Sequence, residues 1–97
     1  MNFEERIWNA INVMKFEYNY IPTFLINMIC EHGVVDAVHR LINKPKPTEG
    51  YLKLYRLNAL NLSLESIILE KEWEDKFPEE DRLKAKKRLT EYGYKVK

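Results

Sequence analysis

Leu60-Asn61-Leu62-Ser63-Leu64-Glu65-Ser66-Ile67-Ile68-Leu69, followed by an acidic stretch carrying Trp73 and Phe77, is the run on which the fold turns. Ser63 suits an N-cap, since its hydroxyl can accept from a free backbone N–H of the first turn, and Glu65 then sits near the positive helix end. Leu64, Ile67 and Ile68 fall at helical spacing and are expected to face inward. The run describes a core rather than a catalytic site.

Working back toward the N-terminus, Lys44-Pro45-Lys46-Pro47-Thr48-Glu49-Gly50 is a loop: two prolines remove backbone donors and a glycine closes it. Tyr51, Leu54, Tyr55 and Asn58 mark a short helix after it. Ahead of the loop lie two further short helices, one opened by Pro22 with Phe24, Leu25, Met28 and Ile29 as its apolar residues. The other carries Val34, Ala37, Val38, Leu41 and Ile42, with Gly33 as the corner between them. Phe3, Ile7, Ala10, Ile11, Met14 and Tyr18 recur at three- and four-residue steps and predict an amphipathic first helix. Trp8 sits at the edge of that stripe and Phe16 nearly opposite it. Either the helix ends before Phe16 or that side meets something else.

Toward the C-terminus, Pro78, Glu79, Glu80 and Asp81 open a last helix and Lys84, Lys86, Lys87 and Arg88 follow, the charge order favoured by the helix dipole. Its inward stripe is Ala85, Leu89 and Tyr92, and Gly93 is its stop. No segment alternates long enough to read as a strand. The expectation is an all-α single domain of five or six short helices, and 97 residues suffice for one core without metal or disulfide support.

Several chemistries lack their residues. Cys30 is the only cysteine, so no intramolecular disulfide forms, and its apolar flanks predict a buried thiol. His32 and His39 stand seven apart, too far to share a metal on one helix; the first reads as a polar cap and the second as a surface neighbour of Arg40. Glu70, Glu72, Glu74 and Asp75 lack calcium-loop spacing and read as a solvated face. Ser63 and Ser66 lie in a capping region, not in a glycine-flanked nucleophile elbow. No catalytic residue, cofactor or metal is expected. No apolar run approaches the ~20 residues of a membrane helix, and a cytoplasmic location is the default.

The quoted pieces resemble an uncharacterised prokaryotic small helical domain. They are Tyr20-Ile21-Pro22-Thr23-Phe24, Glu31-His32-Gly33, Arg40-Leu41-Ile42, Lys46-Pro47-Thr48-Glu49-Gly50, the run from Leu60 to Glu65, Trp73, Phe77 and Tyr92-Gly93-Tyr94. The resemblance spans residues 20–94 and leaves the first helix, residues 1–19, outside. Ile21 stands where that pattern has asparagine, Asn61 where it has aspartate and Ser63 where it has threonine. Such domains occur alone or appended to larger proteins, some concerned with DNA, so the resemblance implies an accessory role and no catalytic residue.

Two functions remain in view. The first is a non-enzymatic interaction module that binds a protein partner or itself through the first helix, where Trp8, Val13 and Phe16 extend apolar surface beyond one stripe. The second is an accessory nucleic-acid-binding domain. The net charge of +1 conceals two basic blocks, residues 40–56 and 82–97, flanking an acidic one, and Arg40, Lys44, Lys46, Lys53, Arg56, Lys84, Lys87 and Arg88 are the phosphate-binding candidates. A helix-turn-helix within residues 24–43 would project Asp36, His39, Arg40, Asn43 and Lys44, although Ile29 is bulky where that motif needs a small residue.

Overall fold

In the computed structural model, which describes residues 1–96, Asn2 starts the chain's first helix with a reciprocal cap. Its Oδ1 accepts from the Glu5 N–H at 2.8 Å, and Glu5 Oε1 accepts from the Asn2 N–H at 2.9 Å. This helix, α1 (Phe3–Glu17), buries Phe3, Ile7, Ala10, Ile11 and Met14. It runs past Phe16, so that ring stands on the outer face, 82% exposed. A left-handed Asn19 turns the chain, and the Tyr20 N–H returns to the Met14 carbonyl.

Next come α2 (Thr23–His32) and α3 (Val34–Ile42), joined by Gly33 at φ 82°, a conformation that costs a side-chain-bearing residue strain. Only Leu25 and Ile29, one helical turn apart, are fully buried on α2. Phe24 and Cys30 were expected inside; each lies one residue off that stripe, a rotation of about 100°, and both are exposed.

Thr48, rather than Gly50, marks the end of the loop, because its Oγ1 accepts from the Tyr51 N–H at 3.1 Å and starts α4 (Glu49–Arg56). Gly50 therefore lies inside the helix. A Cβ there would stand 3.3 Å from the Tyr20 hydroxyl, so α4 and the Tyr20 segment approach closely. The helix stops before Asn58, which is left-handed at φ 57°.

The deciding run folds as a 3-10 turn (Leu60–Leu62) followed by α5 (Leu64–Ile68), capped by Ser63. A second 3-10 turn (Lys71–Trp73) puts Trp73 inside, and Phe3 meets Trp73 and Phe77 edge-to-face at 5.5 and 5.2 Å. Glu70 fastens this corner to α1, accepting a two-pronged pair from Arg6 at 2.8 and 3.0 Å and a bond from Trp73 Nε1 at 2.9 Å. The last helix, α6 (Glu79–Glu91), buries Ala85 and Leu89 and ends at Gly93 with φ 77°.

The architecture is all-α, and among the described residues no strand forms. The amphipathic α3 is the central element, packed against α1, α2, α5 and α6. No helix is long and apolar enough to cross a membrane.

Candidate functional site

Three segments that are far apart in sequence converge on one cleft of about 430 Å³: residues 20–25, the start of α4, and residues 63–65. Its floor is apolar, built from Met14 of α1, Leu25 of α2, Leu41 of α3, and Tyr51 and Leu54 of α4. Its rim carries Phe24, 59% exposed, with Lys44, Glu49 and Leu64. Lys44 Nζ lies 6.0 Å from the centre of the Phe24 ring, and Lys53 Nζ lies 6.0 Å from that of Tyr20. Two nucleic-acid candidates thus stand against aromatic rings of the cleft.

The polar groups beneath are engaged. Ser63 Oγ donates to the Leu60 carbonyl at 2.7 Å and accepts from the Ser66 N–H at 3.2 Å. Glu65, expected only to complement a helix end, is 4% exposed and accepts from Arg88 Nη1 at 3.0 Å. Burial pushes its carboxyl above the usual carboxylate range, while its own backbone N–H and Arg88 pull the other way. Burial also raises the Tyr51 phenol, with the Glu65 charge adding to it; its hydroxyl donates to the Arg88 carbonyl at 3.2 Å. Tyr20 is raised for the same first reason, and by Glu49. A hydroxyl tied to backbone and a carboxylate tied to a guanidinium offer neither a nucleophile nor a free base.

Arg88 was a phosphate-binding candidate, and the fold uses it internally. Beyond Glu65, its Nη2 donates to the Lys44 carbonyl at 2.8 Å and its Nη1 reaches the Ile42 carbonyl at 3.5 Å. Lys84 binds Asn43 and pairs with Glu80, and Arg40 pairs with Asp36 at 2.8 Å. Lys44, Lys46, Lys53 and Arg56 form no ion pair with another described residue. Lys87 is exposed on α6.

The proposed reading face of α3 is also occupied. His39 was expected to be a surface neighbour of Arg40. Instead, its Nδ1 lies 2.5 Å from Oδ2 of Asp81, itself 1% exposed, and Asn43 Nδ2 donates to Asp81 Oδ1 at 2.8 Å. His39 and Asn43 therefore clasp α6 to α3. Their contact with a carboxylate some forty residues downstream left no local trace in the sequence.

Of the partner-binding candidates on α1, Trp8 and Val13 rest half-buried against the core, and Phe16 alone stands open. Among the described residues, no group of three His, Cys, Asp or Glu is placed to hold a metal.

No protein-family profile, curated protein or solved structure matches this chain. The functional reading therefore rests on the cleft's own geometry. Sequence reasoning quoted all three lining segments as motif pieces but had no means of joining them.

Proposed function

We propose that this protein is a non-enzymatic interaction module that takes an apolar segment of a protein partner into the cleft between residues 20–25, α4 and the start of α5. The observation that carries the reading is the cleft itself: an apolar concavity of about 430 Å³ whose rim leaves Phe24 in water. Ligand sites have this size and this lining of apolar walls with a few polar groups. The α1 surface contributes Met14 to the floor and Phe16 outside.

A photo-reactive phenylalanine analogue placed at position 24 tests this. A discrete protein adduct that Gly50→Leu abolishes, by crowding Tyr20, supports the reading. An adduct indifferent to Gly50→Leu, or none, removes it.

A second reading, accessory nucleic-acid binding, draws support from Lys44 and Lys53 beside the Phe24 and Tyr20 rings, an arrangement that suits phosphates next to stacked bases. Fluorescence titration with duplex and single-stranded oligonucleotides at two salt concentrations decides it. Absence of binding at low salt ends it.

A further inference from the structure

Resting on the interaction-module reading, we infer that the partner is a second copy of this chain. Two molecules seat cleft to cleft about a two-fold axis, the exposed edge of each entering the hollow of the other. Such an interface is self-complementary, because every residue of the patch meets the same patch turned around. It therefore needs an apolar knob beside its hole and charges of both signs.

The cleft mouth has both. Tyr20 and Pro22 line one wall, while Ile21 between them does not line the hollow and is 59% exposed, as is Phe24 at the rim. Two large apolar side chains thus stand in water at the edge of a floor, Met14, Leu25, Leu41 and Leu54, that suits only apolar groups.

The charges at the mouth are one of each sign. Lys44 and Glu49 both line it, both are exposed, and neither has an ion-pair partner among the described residues. Glu65, the other carboxylate of the lining, is held by Arg88. A two-fold axis passing between Lys44 and Glu49 brings Lys44 of one copy to Glu49 of the other and the reverse, so each interface gains two ion pairs. The net charge of +1 sets little long-range repulsion between copies.

Other occupants fit less well. A segment of one sign, acidic or basic, satisfies one of the two rim charges and is repelled by the other, and a nucleic acid meets Glu49 in the same way. Phe16 of another copy, on the outer face of α1, would make a head-to-tail contact that leaves a free ring and a free cleft at the two ends and grows into open chains.

Sedimentation velocity of the full chain from micromolar to millimolar concentration tests this on wild type, Ile21→Ser/Phe24→Ser, Lys44→Glu and Glu49→Lys. Far-UV circular dichroism first checks that each folds, which exposed positions permit. Wild type is expected to pass from monomer to dimer and no further, and Ile21→Ser/Phe24→Ser to remain monomeric. Each charge reversal alone sets like charges opposite each other twice and should weaken the dimer about tenfold. An equimolar mixture of the two reversed proteins restores both pairs and should associate as wild type does.

A wild type that stays monomeric, species that grow beyond the dimer, a dimer indifferent to Ile21→Ser/Phe24→Ser, or a mixture no stronger than its components overturns the second-copy inference. The photo-reactive residue at position 24 judges the interaction module separately. An adduct to a different protein that Gly50→Leu abolishes leaves the module standing when the dimer fails, whereas no adduct removes both.

Discussion

Replacing Arg88 by methionine is the most discriminating perturbation of this fold, because one guanidinium serves a carboxylate and two carbonyls. Its donors reach Glu65 Oε2 at 3.0 Å and the Lys44 carbonyl at 2.8 Å, with the Ile42 carbonyl at 3.5 Å. Methionine keeps the aliphatic stem and deletes those bonds. Glu65, 4% exposed, then holds a buried charge without a partner, a situation that costs about 3–5 kcal/mol. Protonation caps that cost. Neutralising a carboxyl of ordinary pKa ~4.3 at pH 7 takes about 2.7 units at 1.36 kcal/mol each, or about 3.7 kcal/mol.

The sign of the pH dependence follows. A carboxyl whose folded-state pKa is raised contributes stability that is fully present below its unfolded value and is lost as pH rises through the folded one. Burial already raises Glu65, and removing Arg88 raises it further. The stability gap between wild type and Arg88→Met should therefore be about 3–5 kcal/mol at pH 7. Near pH 4.5 it should shrink to about 1–2 kcal/mol, the residue of lost carbonyl bonds. Urea unfolding at both pH values, with equal slopes for the two proteins, measures it. Combining Arg88→Met with Glu65→Leu should recover most of the loss at pH 7, since an apolar pair of similar volume often substitutes for a buried ion pair. A single variant within about 1 kcal/mol of wild type at pH 7, or a gap equal at both pH values, refutes the buried-pair account.

Other consequences are simpler to test. Asp81→Ala strips His39 and Asn43 of their shared acceptor between α3 and α6 and should cost about 1–3 kcal/mol in urea melts, whereas Glu80→Ala, its exposed neighbour in the first turn of α6, should stay within about 0.5 kcal/mol. Ser63→Ala should cost about 1 kcal/mol, because the first turn of α5 loses its cap acceptor. Cys30 should react with a thiol reagent in the native protein as fast as in urea; strong protection in the folded state would contradict its exposed place on α2.

The elements themselves were legible in the chain. The inward stripe of α1 from Phe3 to Met14, the Ser63 cap, the Gly33 corner and the Gly93 stop all follow from local backbone chemistry and periodicity, which a sequence displays directly. Errors arose one residue off a stripe. Phe24 and Cys30 are apolar residues beside buried neighbours, and composition alone cannot tell which side of a short helix a single residue takes. Thr48 against Gly50 was a similar matter, decided by which of two turn-forming residues found a partner: Thr48 caps Tyr51, while Gly50 makes room for Tyr20.

Charge reads differently at the two levels. Along the sequence, Glu65, Glu70, Asp81 and Arg88 belong to blocks, and Arg6 stands on the first helix. In the fold each is claimed by a distant group, over separations from 23 residues for Arg88 and Glu65 to 64 for Arg6 and Glu70. What the chain determined by itself was its secondary structure and helical class, because caps, turns and apolar spacing act within a few residues. Tertiary structure alone decided which ions are buried, which lysines remain unpaired, and that residues 20–25, 48–54 and 63–65 enclose a cleft. Burial and pairing depend on what packs opposite, and that neighbour is set by chain closure rather than by adjacency.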